Sequence, residues 1–306
     1  PLRHLSTYGL VPVAAEDAAF GRRLAVNGVV VETTEDVFAR LRVSPAIVQL
    51  ALGGGAATPV DVTVSGLPTD ADQYVYLGSY QESRVVSPAE GGRVTVRAAL
   101  DEPKVLWVQP MSGTIIIGGS TDRCAAVGGI RIGTTCTLTG PLVESVEIVG
   151  EDQVLDCAGY SITQAPANAG FGVGIAVGSP WSRIGMGMDP PVNVTVRNCL
   201  GGGAGADFGI GLQGFGIQGL TVQNCTFAEN ASGIALGPGA GARALGNTLS
   251  GVTEAAIELD GPLNTSEVRG NDIALSSGFA WKTVGLYLGG TWYVDKVTGD
   301  VISEPV

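Results

Sequence analysis

The sequence contains a single histidine, His4, and none of its five cysteines forms a Cys-x-x-Cys pair. A structural zinc site is built from four closely spaced Cys or His side chains, so both absences argue against one. No apolar run approaches the ~20 residues that a helix needs to cross a bilayer. The chain opens on Pro1 without a charged and then apolar leader, so we expect any secretion signal to be removed or not included in this sequence.

Charged residues are scarce and unbalanced. They make up 15% of the chain, with 17 basic and 29 acidic side chains and a formal net charge of −12. The basic residues are scattered, and a protein of this sign repels phosphates, which argues against nucleic acid and anionic membranes as partners. Glycine, in contrast, occurs 47 times without a three-residue period, which excludes collagen and indicates tight turns.

Residues 1–45 form a first zone with two helix-like patterns. One is Ala14–Val26, with the sequence AAEDAAFGRRLAV. The other is Thr34–Leu41, in which Thr34 is a suitable N-cap. Gly28–Glu32 between them predicts a strand. We therefore predict an N-terminal segment with short helices.

The apolar period changes to two over residues 46–118. Short β-branched runs alternate with turn clusters such as Gly66–Pro68. The runs are Val60–Val64, Val75–Leu77, Arg93–Val96 and Val105–Val108. Strands at this spacing predict a small antiparallel, sandwich-like domain. Gly118–Ser120 is the expected boundary of this domain.

Two short sequence units alternate in the remainder of the chain. The first is Gly or Ala, Ile or Leu, any residue, then Leu or Val. It occurs at Gly174–Val177, Gly209–Leu212, Gly233–Leu236, Ala256–Leu259 and Gly285–Leu288. The second has asparagine as its third residue and occurs at Val196–Cys199, Val222–Cys225, Leu245–Thr248 and Arg269–Asp272. Both recur in phase about every 24 residues, which indicates a repeat protein.

Each period predicts one coil of short strands and Gly-rich turns. A single coil cannot bury its own apolar side chains, whereas coils stacked in parallel close a core and pair each backbone with the next. Four asparagines share one phase, so we expect an internal amide ladder along the stack. They are Asn198, Asn224, Asn247 and Asn271.

The cysteines follow two patterns. Cys199 and Cys225 share a phase in the repeat and are expected to stack inside as thiols. Cys124 and Cys136 lie close together in a Gly-rich stretch. A disulfide, if the compartment is oxidising, and two buried thiols are both compatible with that placement.

The start of the repeat resembles the first coil of right-handed parallel β-helix proteins. The resemblance rests on Cys136–Leu142, Val146–Ile148 and Val154–Ile162, the last with the pattern Leu-Asp-x-x-Gly-x-x-Ile. The later coils are similar to repeats of the pectin-lyase-like superfamily, in particular its periplasmic copper-insertion and carbohydrate-binding or hydrolase type. The resemblance covers residues 136–306 and is specific for architecture rather than chemistry, because the fold hosts lyases, hydrolases, epimerases and passive adhesins.

The expected fold class is therefore all-β. A right-handed parallel β-helix (solenoid) over residues 119–306, with a C-terminal hairpin cap, follows the small β-rich, sandwich-like domain of residues 46–118. The hairpin is predicted within Thr291–Ile302, with its turn at Thr298–Asp300.

Carboxylates gather near the C-terminal end of the repeat. Glu258 is the middle residue of its unit, which points outward when the flanking Ile and Leu point inward, and Asp260 lies two residues further on. Such a pair is ~6–7 Å apart along a strand, which suits a calcium ion or a general acid/base pair. We predict a catalytic role for Glu258 and a calcium site at Glu258 and Asp260. A solvated acidic face is the alternative.

Cations near this patch complete the predicted site. A lyase acting on uronates needs a cation beside the substrate carboxylate, so Arg243 and Arg269 are predicted to act with Glu258. Turn capping is the alternative role for both arginines. Lys282 is predicted to bind substrate.

Aromatic residues also collect late in the chain. Trp281 and Tyr287 are predicted to stack against a sugar. The alternative is that they close the open end of the solenoid, since stacked coils need a cap.

Two functions from different classes fit this sequence. The first is a carbohydrate-interacting protein, extracellular, cell-surface or periplasmic, that binds or cleaves an acidic polysaccharide along the helix face as a lyase or glycoside hydrolase. The second is a non-catalytic structural or adhesion module of a cell-surface protein. His4 lies outside the repeat, so a histidine-dependent site cannot form there, and Asp189-Pro190-Pro191 lacks the histidine of uronan epimerases.

Overall fold

The computed structural model describes much of the chain, in stretches separated by gaps. The described residues are 15–43, 48–53, 56–111, 114–163, 173–178, 191–202, 210–214, 217–230, 232–237, 239–252, 255–260, 263–275, 284–289, 293–294 and 301–302. They form strands throughout, apart from one 3-10 helix at Ala125–Val127. Within them, no helix has the length and apolarity needed to cross a membrane.

The N-terminal sheet contains eight strands among the described residues. They are β1 (Ala15–Val26), β2 (Val29–Val43), β3 (Val48–Gly53), β4 (Ala56–Ser65), β5 (Gln73–Leu77), β6 (Ser79–Val86), β7 (Val94–Leu100) and β8 (Lys104–Pro110).

The helices predicted at Ala14–Val26 and Thr34–Leu41 were wrong, because these residues belong to β1 and β2. Asn27 and Gly28 connect the two strands and both have positive φ, 47° and 84°. A two-residue hairpin turn of type I′ needs this conformation at both positions, and Asn-Gly favours it. The antiparallel ladder between the strands then outweighs the local helix-like pattern.

Strand β2 is the branch point of the N-terminal sheet. Its second edge is shared by β4, which pairs with Val30–Thr33, and β3, which pairs with Phe38–Val43. The sheet continues as β4–β7 on one side and as β3–β8–β5–β6 on the other. Side chains from both branches, including Val62 and Leu106, form a single apolar cluster. The two branches therefore enclose one core.

The remaining strands are shorter. Those up to residue 202 are β9 (Thr114–Ile117), β10 (Ile130–Ile132), β11 (Thr135–Thr137), β12 (Ser145–Ile148), β13 (Val154–Asp156), β14 (Ser161–Ile162), β15 (Val173–Val177), β16 (Thr195–Arg197) and β17 (Leu200–Gly202). The next are β18 (Ile210–Gly214), β19 (Thr221–Gln223), β20 (Thr226–Ala228), β21 (Ser232–Leu236), β22 (Gly239–Ala240), β23 (Arg243–Leu245) and β24 (Thr248–Val252). The last are β25 (Ala255–Asp260), β26 (Leu263–Asn264), β27 (Glu267–Arg269), β28 (Asp272–Leu275), β29 (Val284–Gly289), β30 (Tyr293–Val294) and β31 (Val301–Ile302).

From β12 to β29 the chain passes repeatedly through three parallel sheets, always in the same order. In the described residues these are a seven-stranded sheet (β9-β12-β15-β18-β21-β25-β29), a nine-stranded sheet (β10-β11-β13-β16-β19-β23-β27-β31-β30) and a five-stranded sheet (β14-β17-β20-β24-β28). We call one passage through the three sheets a coil. Antiparallel strands end the nine-stranded sheet on both sides, β10 at its start and β31 with β30 after β27.

The register between coils corrects one repeat alignment. Leu212 lies between Ile175 and Ile234 in the seven-stranded sheet, so this unit is displaced by two residues from the alignment by sequence. A shift of two keeps a side chain on the same face of a strand. Leu212 is therefore still inward, but Gln213 rather than Gly211 is the outward residue of this coil.

The asparagine ladder was confirmed for Asn247 and Asn271 but wrong for the other two residues, which lie one position before the interior phase. Asn198 and Asn224 have positive φ (56° and 52°), and Gly246 and Gly270 have it in the next two coils (61° and 65°). Asparagine in two coils and glycine in the next two occupy this turn because both adopt the left-handed conformation. The first two asparagines therefore make the turn instead of joining the interior ladder.

A polar column does run through the interior, made of Cys199, Cys225, Asn247 and Asn271. Cys199 forms a disulfide with Cys157, so its prediction as a thiol was wrong, whereas Cys225 is a buried free cysteine. Asn247 Nδ2 donates to the Val222 carbonyl at 3.0 Å and to Asn271 Oδ1 at 2.9 Å. Its Oδ1 accepts from the Cys225 backbone N–H at 3.0 Å. This amide thus satisfies two backbone groups of the preceding coil and bonds to a side chain of the next.

Cys124 and Cys136 form a second disulfide. Of the two alternatives that their spacing left open, the bridge is the one found. Both residues are fully buried in the apolar cluster of the coils.

Asn247→Ala is expected to lower the free energy of unfolding by about 3 kcal/mol, because it leaves a buried donor and a buried acceptor without partners. The matched control is Asn224→Gly, which places at this turn the residue that the next coils use there. It should change stability by about 0.5 kcal/mol or less. Urea unfolding of both variants measures the difference. Similar losses for the two would contradict the assigned roles.

Candidate functional site

The outer face of the seven-stranded sheet carries a central column with one residue from each coil. The column is Ile116, Glu147, Ala176, Gln213, Ala235, Glu258 and Tyr287. The first six are at most 5% exposed. Coils are ~4.8 Å apart, so its polar residues recur about every 10 Å. From Ile116 to Glu258, the face on which we predicted substrate binding is therefore covered.

The N-terminal sheet covers the first coils of this face. Gln109 Nε2, on β8, donates to Glu147 Oε2 at 3.2 Å. Three aromatic side chains on the same face of the N-terminal sheet, Tyr74, Tyr76 and Trp107, are at most 1% exposed. Tyr74 is the register partner of Gln109 on the neighbouring strand. Polar and aromatic groups therefore fill this junction.

Glu147 is a buried carboxyl group with an unusual protonation equilibrium. Burial raises the pKa of Glu147 to about 7, against the opposing effect of the Gln109 hydrogen bond. Burial also raises the pKa of Tyr74, although Arg123 opposes that rise. A pKa near neutrality is typical of a general acid. At 2% exposure, however, Glu147 does not reach a polymer at the surface.

The predicted carboxylate pair lies in the same sheet. Glu258 is 5% exposed on β25, and Tyr287 is its neighbour on β29. Asp260 ends β25, and its side chain is outside the described residues. Among the described residues, no group of three His, Cys, Asp or Glu side chains is placed to hold a metal ion. The calcium site stays a prediction.

The two arginines predicted to act with Glu258 lie in a different sheet from the predicted carboxylate pair. Arg243 and Arg269 are exposed on the nine-stranded sheet, on β23 and β27, whereas Glu258 is in the seven-stranded sheet. The structure therefore does not bring the three predicted catalytic residues together. Trp281 and Lys282 lie outside the described residues.

Both arginines belong to an open polar surface, the outer face of the nine-stranded sheet. Two outward columns cross it, one residue per coil in each. They are Thr135, Val154, Thr195, Thr221, Arg243 and Glu267, and then Thr137, Asp156, Arg197, Gln223, Leu245 and Arg269. All twelve are exposed or half-buried, while the residue between the two columns in each strand faces the core.

Ion pairs organise the charges of this face. Arg197 Nε lies 2.9 Å from Asp156 Oδ2. Glu267 contacts two cations, Arg269 Nε at 3.2 Å and Arg243 Nε at 3.8 Å. Burial would raise the pKa of Asp156, but hydrogen bonds from Asn198, the Ala158 backbone and Arg197 together lower it below its usual value. Three arginines thus face two carboxylates.

Glu147, Gln109 and Arg197 were missed from the sequence. Glu147 stands alone in the apolar strand Val146–Ile148, and a charge in mid-strand was the signal that could have marked a buried contact. Nothing in the sequence shows that Gln109 is its partner. Arg197 ends a Thr-x-Arg tripeptide whose Thr-x-Gln counterpart recurs one coil later, at Thr221–Gln223, and this repeat could have marked an outward column.

No protein family and no curated protein matches the chain. Solved structures that are similar to it include catalytic domains of GH87 alpha-1,3-glucanases. One, in complex with tetrasaccharides, is 11% identical, with 85% of this chain and 60% of that chain covered and a TM-score of 0.26. Another, in complex with nigerose, is 11% identical, with coverages of 92% and 63% and a TM-score of 0.23. The chain thus spans less than two thirds of their length, and its own strand register, rather than these similarities, defines its fold.

Glu147→Gln is expected to change how stability depends on pH. The folded-state pKa of Glu147 is about 7 against a usual 4.5, so the folded protein holds this proton more tightly than the unfolded chain. The stability that the proton contributes is complete below about pH 4.5 and is lost as the pH rises through 7. The variant should therefore be more stable than the wild type above pH 7, by about 3 kcal/mol, and equal to it near pH 4.

Urea unfolding between pH 4 and 8 measures this difference, and Asp156→Asn is the matched contrast. The lowered pKa of Asp156 means that its carboxylate stabilises the fold at neutral pH, with the contribution lost as the pH falls through the folded-state pKa. That variant should therefore be less stable than the wild type at pH 7. A Glu147→Gln effect that does not vary with pH would contradict the assignment.

Proposed function

We propose that the chain is a carbohydrate-interacting protein that binds an acidic polysaccharide along the outer face of the nine-stranded sheet. The observation that carries this proposal is the contrast between two faces of the coils. The central column on the outer face of the seven-stranded sheet is buried from Ile116 to Glu258. The nine-stranded sheet instead presents two exposed or half-buried columns, in which ten of the twelve side chains can form hydrogen bonds.

The proposal includes a right-handed parallel β-helix as the architecture of the coils. Two observations support it, the parallel pairing of successive coils and the fixed order in which the chain visits the three sheets. Crossover connections between parallel strands of one sheet are right-handed in roughly 98% of cases. Right-handed coils are therefore the expected arrangement.

The geometry of the open face suits a linear polymer. Its side chains recur at ~4.8 Å, the spacing between coils, along a straight line. This spacing is of the order of one sugar unit, so successive units can meet equivalent donors and acceptors, such as Thr195, Thr221 and Gln223. No deep pocket is needed for such contact.

The charge of the face favours an anionic glycan. The chain carries a net charge of −12, yet Arg197, Arg243 and Arg269 outnumber Asp156 and Glu267 here. A locally positive surface attracts carboxylates of uronate units and is screened by salt. Binding should therefore weaken as the ionic strength rises.

We propose an extracellular, cell-surface or periplasmic location. The disulfides Cys124–Cys136 and Cys157–Cys199 support it, since disulfides persist mainly in oxidising compartments.

The second candidate, a non-catalytic structural or adhesion module, is favoured by the burial of Glu258 and its separation from the arginines. Neither the carbohydrate-binding protein nor the structural module needs to cleave a polysaccharide. A lyase or hydrolase activity, with Glu258 as catalytic residue, stays a prediction that the same binding assay can test.

Binding of polygalacturonate and alginate, measured by retardation in affinity gels, tests the proposal. The double variant Arg243→Ala/Arg269→Ala should bind about tenfold more weakly than the wild type, because two charge-assisted contacts are lost. Arg97→Ala, which removes an exposed arginine of the N-terminal sheet, is the matched control and should leave retardation unchanged.

Two outcomes would contradict the proposal, and a third would extend it to catalysis. Absence of retardation by either polymer favours the structural module. Equal retardation of the wild type and the double variant removes the nine-stranded sheet as the binding face. Release of unsaturated product, read by absorbance in the same samples, would show cleavage and require a catalytic site in addition.

A further inference from the structure

Two phenylalanines lie open to solvent on the N-terminal hairpin, in a different sheet from the face proposed above. Phe20 on β1 and Phe38 on β2 are direct cross-strand partners. They are 73% and 50% exposed. Side chains of cross-strand partners lie on the same side of a sheet, with Cβ atoms about 5 Å apart. The two rings therefore share one surface.

One flank of the aromatic pair carries no side chain. Gly53 is the partner of Phe38 on β3. A Cβ added at this glycine would have no atom within 4 Å. Phe38 is therefore not covered from the position beside it on β3.

Charged side chains border the aromatic pair along the strands. Arg40, two residues from Phe38, binds Glu16 on the neighbouring strand. On the other side, Arg22, two residues from Phe20, contacts Glu35 at 3.5 Å and Asp36 at 3.4 Å. Their guanidinium and carboxylate groups supply donors and acceptors on two sides of an apolar centre.

The apolar area of the two phenylalanines indicates which kind of ligand they can bind. A stable protein interface buries about 800 Å² on each partner, whereas an aromatic side chain buries only about 150–250 Å² even when it is fully covered. Two aromatic rings surrounded by charges offer too small an apolar area for a protein partner. They match the apolar C–H face of a pyranose ring, with the surrounding hydroxyls at the charged border.

We infer that Phe20 and Phe38 form an aromatic platform that stacks against sugar rings of a neutral glycan. This inference rests on the proposed function, contact with carbohydrate, and adds a second site on the N-terminal sheet. Stacking on an aromatic face needs no charge on the sugar. The platform should therefore bind uncharged glycans and tolerate salt, unlike the face with the arginines.

The test is affinity electrophoresis of the whole chain in soluble neutral glucans, laminarin and hydroxyethyl cellulose, at low and at 1 M salt. The wild type should be retarded equally at both salt concentrations. Phe20→Leu/Phe38→Leu keeps the apolar character but removes the ring faces, and should reduce binding about tenfold. Phe20→Tyr/Phe38→Tyr keeps the faces and should bind like the wild type.

The remaining outcomes overturn the platform. Retained binding in the leucine variant means that the rings do not stack, and absence of binding by the wild type means that no neutral site exists. Self-association of the wild type that the leucine variant abolishes would assign the rings to a second copy of the chain. Arg243→Ala/Arg269→Ala separates the two proposals, since it should keep glucan binding while it weakens polygalacturonate binding.

Discussion

Backbone pairing between successive coils is the constraint on which the rest of this structure depends. Each strand of a coil bonds in parallel to the strand of the next, so the phase of one coil fixes which side chains of its neighbours face inward. Leu212 holds its place between Ile175 and Ile234 for this reason. The interior column consists of the residues at one position of successive coils. They are Cys199 with its disulfide, the thiol of Cys225, and the amides of Asn247 and Asn271.

The same register between coils also determines which side chains each outer face presents to ligands. On the seven-stranded sheet the outward column is buried from Ile116 to Glu258, and Gln109 of the N-terminal sheet bonds to its first carboxylate, Glu147. On the nine-stranded sheet the outward columns stay open. A surface near Arg243 is thus left for ligands, whereas Glu258 lies in another sheet and is buried.

Much of the repeat was predictable because the local alternation of apolar residues indicates its strands. At Gly233–Leu236, for example, alternate apolar residues mark an inward face. Registers were harder to predict. A slip of two residues at Leu212 preserves that alternation, and the shift of one position between the two asparagine pairs is visible only in the strand register and the backbone φ values. The hairpin of β1 and β2 was missed because its pairing is non-local and only Asn27-Gly28 signals it. The covered face was not predictable, because the contact between Gln109 and Glu147 joins residues that share no motif.

Carbodiimide labelling of carboxylates, with and without bound polygalacturonate and with the reagent in excess over the carboxyl groups of protein and polymer together, tests the central claim most directly. The claim is that ligand contacts the nine-stranded sheet while the seven-stranded sheet is covered. Glu267 should be labelled in the free protein and protected by the polymer, whereas Glu147 and Glu258 should resist labelling in both states. Labelling of Glu258 in the free protein, with protection by the polymer, would contradict the account.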